Sequence, residues 1–324
     1  MNGATDWRAS ASRERLLQRA QLLARIRDFF AQREVLEVDT PTVVQHAVTD
    51  VHLHSAEVRW PGLTATHFLH TSPEYAMKRL LASGSGDIYQ ICHVFRGDEQ
   101  GPQHAREFTL LEWYRLGFGM ADLMHEVDQL VRAVAPEPNS GAAIHRRYED
   151  VLRDHAGCNP LTDSDATVAD CAVRLGLERA LLQRLNRDQL LDLLMGARIG
   201  PQLGHGAPCF VHHYPASQAA LARLDPMDAR VALRFEFYLD GMELANGFEE
   251  LIDAGEQRAR FEADLAARRV LGLADHAIDE RLLAALAAGV PACSGVALGL
   301  DRLLMHASGV RDIRQVQAIA PDQA

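Results

Sequence analysis

Two arginines on distant segments, Arg96 and Arg302, stand where each could hold a phosphate. Arg96 ends one β-strand pattern, and a polar stretch up to Arg106 separates it from the next strand. A guanidinium presents a planar fork of N–H donors that suits phosphate or carboxylate oxygens. A loop this long and charged is a candidate for gripping a ligand. Arg302 lies in the first turn of a helix, directly after the small-residue strand 293–299, and could stack on a base or bind a terminal phosphate.

The strand that returns from this loop carries a row of chemically matched side chains. Alternation along residues 107–116 places Phe108, Glu112 and Tyr114 on one face. That face therefore offers an aromatic ring, a carboxylate and a phenol in a row.

The elements around these residues indicate an α+β fold. Strands joined as hairpins, with helices in blocks between them, favour a mostly antiparallel sheet of about six to seven strands flanked by helices. Asp240-Gly241 is a two-residue hairpin turn. Residues of about 145–200 have a helical pattern, so we expect a mainly helical insertion over about 136–205 within a single domain of residues 1–324. Strands are predicted at residues 35–41, 66–70, 88–95, 107–116, 208–213, 231–239, 242–251 and 293–299.

Composition argues against several classes of protein. With 33 Lys and Arg against 44 Asp and Glu, the net charge is −11, so there is no overall basic face for a polynucleotide such as tRNA. No stretch approaches the ~20 apolar residues of a membrane span, and a secretion signal is not evident. The five cysteines are scattered without a CxxC pair, which argues against a zinc knuckle or a disulfide framework. A cytoplasmic enzyme fits best.

Together these segments resemble the class II aminoacyl-tRNA synthetases. Phe95-Arg96 with Glu107-Phe108 is similar to motif 2 of that family, and residues 299–302 are similar to motif 3. The helix–strand pattern that ends at Pro41 is similar to motif 1, which in that family builds the dimer interface. The resemblance implies the class II catalytic fold, formation of an aminoacyl-adenylate from ATP, and a homodimer.

The finer resemblance is to lysyl-tRNA synthetases, and it implies an ATP site. Arg96 would hold the α-phosphate and the carboxylate of the amino acid, and Phe108 would stack on adenine. Arg302 would close the far side of the ATP, while Glu243 would help to bind Mg²⁺ and phosphate. The further nucleotide contacts that the resemblance implies are Gly97, Asp98, His104, Leu244, Asn246 and Gly299.

The same resemblance implies a pocket for a diamino acid. Glu74 would face one amine, and Tyr114 with Glu250 would clamp the other. The pocket would be completed by Ser72, Pro73 and Ala297. A buried ammonium needs a paired carboxylate, so two separated acids suit two amines.

Glu243 and Glu250 can serve one site only if their strand is irregular. They are seven positions apart, so a regular strand would turn them to opposite faces. They converge if the ladder is interrupted, and Asn246-Gly247 is the candidate β-bulge. The prediction is geometric and can be read from a structure.

Three places depart from the lysyl-tRNA synthetase pattern. Gly97 and Asp98 follow Arg96 where those enzymes typically have Asn-Glu, and Ala105-Arg106 replaces Asn-Pro, which removes an amide contact to ATP. Ala297 stands where those enzymes carry glycine. Its methyl group removes room near the α-amine, which favours a shifted amine such as that of β-lysine.

The whole chain resembles a stand-alone group in this family, the elongation factor P–lysine ligases. Motif 1 begins close to the N-terminus, so we expect no anticodon-binding domain. The resemblance implies that (R)-β-lysine or lysine is activated with ATP and Mg²⁺ and then transferred to a lysine side chain of elongation factor P. The alternatives are a truncated lysyl-tRNA synthetase-like enzyme that charges tRNA, and a non-catalytic paralogue that senses an amino acid. The enzymatic interpretation requires Arg96 and Arg302 to share one cleft.

Overall fold

The chain folds around one large β-sheet. A computed structural model describes residues 7–97, 99–135 and 141–324. The strands in these residues are β1 (Leu36–Glu37), β2 (Val43–Val44), β3 (Glu57–Val58), β4 (His67–Leu69), β5 (Ile88–Phe95), β6 (Glu107–Leu116), β7 (Ile144–Arg147), β8 (Cys209–Pro215), β9 (Leu224–Asp225), β10 (Asp228–Leu239), β11 (Met242–Glu249) and β12 (Cys293–Gly299). The large sheet runs in the order β1-β5-β6-β12-β11-β10-β8-β7, with β9 paired to β10, and β2, β4 and β3 form a small second sheet.

The predicted α+β class and the mostly antiparallel sheet are confirmed. Only the pairs β1/β5 and β7/β8 are parallel among the strand pairs of the described residues. The large sheet has nine strands there, more than the six to seven expected. Strands β7 and β9 account for the difference, because segments of four and two residues are too short to show an alternating apolar pattern.

Helices cover both faces of this sheet. On one face α1, α3 and α10 bury a core that includes Phe30, Trp113 and Phe235. The helix bounds in the described residues are α1 (Arg13–Ala31), α2 (Glu74–Ala82), α3 (Met120–Val134), α4 (Tyr148–Ala156), α5 (Asp165–Arg174), α6 (Arg179–Leu182), α7 (Arg187–Leu194), α8 (Ala254–Val270), α9 (Glu280–Gly289) and α10 (Leu300–Ser308). None of these helices is both long and apolar enough to cross a membrane.

The strands that carry the candidate site form as their local patterns predict. The bounds of β5, β6 and β12 coincide with the predicted ranges. Between β10 and β11, Asp240 and Gly241 have φ of +49° and +75°, the left-handed pair that a tight hairpin turn requires. The predicted hairpin is therefore confirmed, and it brings two long strands of the site together.

Helices α4–α7 form a second core against the β8 end of the sheet. Successive side chains of β10 pack into different cores: Phe237 packs into the first core and Tyr238 into the second. The helical pattern predicted from about residue 145 is wrong at Ile144–Arg147, which forms β7 parallel to β8. This polar segment has no apolar alternation, so its strand depends on pairing with β8 rather than on local preference. Residues 136–140, at the predicted start of the insertion, lie outside the described residues.

Gly247 leaves no room for a side chain in the middle of β11. A Cβ there would lie 2.4 Å from Cζ of Phe235 and 2.9 Å from Cβ of Val296, both in the core. We therefore expect Gly247→Ala to lower the free energy of unfolding by about 2 kcal/mol or more. Gly196→Ala is the matched control, because its Cβ would meet nothing within 4 Å. Urea unfolding measures both variants, and equal midpoints for the two would contradict the packing argument.

Candidate active site

A cleft open to solvent lies over β6, β11 and β12. Arg96 and Arg302 both line it, which meets the geometric condition set by the enzymatic interpretation. Most of the residues predicted to contact the nucleotide converge there. Those that line the cleft are Arg96, His104, Phe108, Glu243, Leu244, Asn246, Gly299 and Arg302. Ala297, which was predicted to contact the amino acid, lines it as well.

One wall of the cleft is both aromatic and cationic. At the end of β5, the guanidinium of Arg96 lies 5.1 Å from the centroid of the Phe108 ring, and its Nη1 donates to Glu99 Oε1 at 2.9 Å. Burial, reinforced by the charge of Arg302, lowers the pKa of His104, so its imidazole is neutral at pH 7. A flat base and an anionic phosphate both suit this wall.

Arg302 ties three segments of the cleft together. Its Nη1 donates to the main-chain carbonyl of Glu243 at 2.9 Å, and its Nε donates to that of Gln103 at 3.2 Å. The first bond reaches β11, and the second reaches the loop between β5 and β6. The guanidinium is therefore held over the cleft by its own hydrogen bonds.

A β-bulge in β11 turns Glu243 and Glu250 to the same face of the sheet. Tyr238 pairs with Glu243 and Phe237 pairs with Ala245, so Leu244 is the extra residue. The expected interruption is present, but its predicted position at Asn246-Gly247 is wrong. Both of those residues pair regularly with β10 and with β12. The hairpin turn fixes the register on one side of Leu244, and the core packing of Phe235 against Gly247 fixes it on the other.

Glu243 meets a second carboxylate across the hairpin. Burial, reinforced by Glu236, raises the pKa of Glu243 to about 7, against the opposing effect of arginines that include Arg302. Glu236 is itself held by Arg234 Nη2 at 2.6 Å and by the hydroxyl of Tyr238 at 2.6 Å. Of the two carboxyl groups, that of Glu243 lines the cleft, and a carboxylate oxygen is a ligand that Mg²⁺ prefers. No cluster of three or more His, Cys, Asp or Glu suited to a metal occurs in the described residues.

Beyond the cleft lies a buried acidic pocket. Ser72 donates to Glu112 Oε2 at 2.7 Å, and the hydroxyl of Tyr114 donates to Oε1 at 2.7 Å. Burial, reinforced by the negative charge of Glu74, raises the pKa of Glu112 to about 8. The carboxyl group of Glu112 thus links the segment that precedes α2 to β6. We refer to Ser72, Glu74, Glu112, Tyr114 and Glu250 as the amine pocket.

The ammonium group of Lys78 lies inside this pocket. Its Nζ is 2.7 Å from Glu74 Oε1 and 2.6 Å from Glu250 Oε2, and its side chain is 1% exposed. Burial opposes the charge of Lys78, but Glu250 and Glu74 more than offset it and raise the pKa of the ammonium. Burial likewise raises the pKa of Glu250 to about 7, against the lowering effect of Lys78.

The small residues of β12 form the floor between the cleft and the amine pocket. A Cβ at Gly295 would lie 2.3 Å from Cε1 of Tyr114 and 2.6 Å from Glu250 Oε1, so both side chains close over that glycine. Ala297 lies between Asn246 of β11 and Glu112 of β6 in the ladder. One continuous strip of β12 therefore leads from Gly299 in the cleft to Gly295 in the pocket.

Three predicted positions are placed differently from the rest, and a fourth is not described. The N–H of Gly97 donates to the carbonyl of His54 at 2.8 Å, and Gly97 does not line the cleft. The bulge turns the Leu244 side chain into the core, which leaves only its backbone for a ligand. Pro73 precedes α2 and makes no capping bond from its side chain. Asp98 lies outside the described residues.

Several residues of the site were not predicted from sequence. Lys78 follows Glu74 by one helical turn, and this spacing could have suggested the pair. Glu236 alternates with Tyr238 on β10, so both face the side of Glu243. The role of Gly295 has no local signal, because the clash that excludes a side chain comes from other strands.

These features are those of a nucleotide-dependent ligase built on an antiparallel sheet. A family model described as tRNA synthetases class II (D, K and N) matches residues 2–323. The chain belongs to this class II synthetase family. Its resemblance to the three class II motifs is thereby confirmed.

Three relatives that match nearly the whole chain are each named elongation factor P–(R)-β-lysine ligase. The protein of Avibacterium paragallinarum is 47% identical, with 98% of this chain and 99% of the relative covered. That of Vibrio vulnificus (strain YJ016) is 48% identical, with 97% of each covered. That of Hamiltonella defensa is 45% identical over the full length of both. Identity at this level places the chain in the family of these ligases.

The crowding at Gly295 gives a test of the amine pocket. We expect Gly295→Ala to raise the KM for the amino acid by about tenfold or more, because its methyl would displace Tyr114 and Glu250. ATP binding should change little. Gly299→Ala is the control on the same strand, since its Cβ would meet only Arg302, at 3.8 Å, and would point into the nucleotide cleft. Gly299→Ala should instead weaken the binding of ATP, which ATP titrations would measure. If both variants changed the binding of ATP and of the amino acid in the same way, the assignment of separate nucleotide and amino-acid regions would be refuted.

Proposed function

We propose that this protein uses ATP to activate (R)-β-lysine as an aminoacyl-adenylate and then transfers the acyl group to a lysine side chain of elongation factor P. One observation carries the proposal. The strip of β12 joins a cleft that has Arg96 and Arg302 to a buried pocket of carboxylates. A diamino acid lying along that strip would point its carboxylate at the nucleotide and its amines at the acids.

The first step follows from this placement. A carboxylate oxygen of the amino acid attacks the α-phosphorus of ATP, and the bond from that phosphorus to the bridging oxygen breaks, so pyrophosphate leaves. Arg96 and Arg302 would stabilise the negative charge that develops on the phosphoryl oxygens. Phe108 would hold the base by stacking. Mg²⁺, when bound, would be held by Glu243 with Glu236 beside it and would neutralise phosphate charge.

The second step needs no nucleophile from the enzyme. The neutral amine of the acceptor lysine attacks the acyl carbon of the mixed anhydride, an amide forms, and AMP leaves with a proton released. Holding the two reactants together supplies most of the acceleration in such a transfer. The role of this chain is then to position the adenylate and exclude water.

The proposed preference for β-lysine rests on Ala297. Its methyl group lies on the floor of the site, between Asn246 and Glu112, where added volume takes up room beside the bound amino acid. An amine shifted by one carbon would avoid the methyl, whereas the α-amine of lysine would approach it.

A homodimer and a cytoplasmic site of action complete the proposal. Apolar side chains of the helix–strand segment similar to motif 1 are left uncovered, with Leu17 46% exposed and Leu36 55% exposed. A second copy of the chain would bury them. The acceptor is a translation factor, and the five cysteines are free thiols, as a reducing compartment favours.

Isotope exchange and mass spectrometry test the proposed function together. Pyrophosphate–ATP exchange should depend on (R)-β-lysine more strongly than on lysine, and Arg302→Ala should remove it. Elongation factor P incubated with the enzyme, ATP and (R)-β-lysine should gain the mass of one lysyl group. Transfer to tRNA but not to elongation factor P would instead support the truncated synthetase, and an absence of exchange with every lysine isomer would support the sensor.

The raised pKa of Glu243 predicts a pH dependence for magnesium. Below the pKa of about 7 the carboxyl group is neutral and cannot bind the ion. We expect the Mg²⁺ concentration for half-maximal exchange to rise about tenfold between pH 8 and pH 6. Glu243→Gln has no titrating group there, so it reports any change that comes from ATP itself. A wild-type Mg²⁺ requirement that changes with pH no more than that of the variant would contradict the assignment.

A further inference from the structure

The ammonium group of Lys78 is a buried charge for which the proposed reaction gives no direct task. It lies within α2, 1% exposed, and contacts one carboxylate of its own helix, Glu74, and one at the end of β11, Glu250. A buried ammonium is costly unless it is paired, and a purely structural pair could be replaced by apolar residues. Its location among the acids of the amine pocket points to a function in recognition.

The charges of the pocket can be counted. Glu74, Glu112 and Glu250 lie close enough to affect each other's ionisation, and each of the latter two is 3% exposed or less. When all three carboxyl groups are ionised, they and the ammonium of Lys78 leave two negative charges, and the raised pKa values of Glu112 and Glu250 mean that this state forms at pH 7 only with a cation bound. A diamino acid bound through both ammonium groups would neutralise them, and a monoamine would leave one buried charge without a partner.

We propose that Lys78 is a resident cation that sets the charge of the amine pocket and so selects a substrate with two amines. The inference rests on the proposed function, because it concerns the amino acid that is activated. Lys78 is a positioning residue in this role. It acts through Glu74 and Glu250 and needs no contact with the reacting atoms.

The geometry supports both parts of this role. Lys78 bridges α2 and β11, so it holds the two carboxylates at a fixed separation. Lys78 Nζ lies 2.6 Å from Glu250 Oε2, and this buried oxygen has no further hydrogen-bond partner among the described residues. An oxygen so placed remains available to accept a hydrogen bond from a substrate amine.

The electrostatics predict how the pocket would respond to loss of the cation. Lys78 lowers the pKa of Glu250 against the effect of burial, so removal of its charge would raise that pKa above about 7. The carboxyl group would then be protonated at neutral pH and would have to lose the proton before binding an ammonium. The titratable groups around Glu250 are Glu74 and Lys78 from α2, Glu112 and Tyr114 from β6, and Cys293 from β12.

Lys78→Met tests this inference, because methionine keeps the length and removes the charge. We expect its KM for (R)-β-lysine in pyrophosphate exchange to rise about tenfold or more at pH 7 and to fall again as the pH is raised towards 9. The KM for ATP should stay within about twofold, since Lys78 does not line the nucleotide cleft. Preference for lysine over norleucine, which has the same length and one amine, should weaken.

Arg268→Met is the matched control for loss of a buried cation. Arg268 is 2% exposed and donates to the carbonyls of Ala274 and Asp50, outside the pocket. It should lower stability without moving the pH profile of KM or the preference for a diamine. Lys78→Arg, which restores the charge, should recover part of the neutral-pH affinity that Lys78→Met loses.

The outcomes separate the inference from the proposed function. If the wild type exchanges with (R)-β-lysine while Lys78→Met keeps its KM and its pH profile, the inference is overturned and the proposed function stands. A Lys78→Met enzyme that only behaves like Arg268→Met overturns it as well. If the wild type exchanges with neither lysine nor β-lysine, the proposed function fails and takes the inference with it.

Discussion

The site depends on one buried carboxylate, that of Asp301, which joins three segments distant in sequence. It accepts a hydrogen bond from Arg19 of α1 at 2.5 Å and another from the N–H of Thr109 in β6 at 2.8 Å, and it is 1% exposed. A buried charge of this kind is stable only while its partners are in place. Because Arg302 is the next residue, the contacts of Asp301 fix the first turn of α10, and the hydrogen bonds of Arg302 itself then hold its guanidinium over the cleft.

A single extra residue in β11 then decides which chemistry the sheet can support. Without the bulge at Leu244, Glu243 and Glu250 would face opposite sides of the sheet, one in the cleft and the other in the core. With the bulge, Glu243 faces the phosphate end of the ligand and Glu250 faces its amine end. The bulge occurs in a well-paired part of the sheet, as is common beside active sites.

The net charge of −11 says little about the ligands, because what matters is where individual charged side chains stand in the site. Arg96 and Arg302 bring two guanidinium groups to the nucleotide cleft, which Glu99, Glu243 and Asp301 also line. Glu112 and Glu250 bring carboxyl groups to the neighbouring pocket, beside the ammonium group of Lys78. ATP and a diamino acid have the complementary charges. The small residues of β12 are what allow the two regions to meet without a side chain between them.

The local sequence pattern was sufficient to predict those elements that form through interactions between near neighbours in the chain. The alternation in β6 and the hairpin turn at Asp240-Gly241 depend on near neighbours, so the sequence alone determined their bounds, and motif spacing determined the family. The position of the bulge at Leu244 and the burial of Lys78 against Glu250 were decided only by the tertiary structure. Strand register and ion pairing are set by packing and charge between segments that are far apart in the chain. A local sequence pattern does not show which of those segments come into contact.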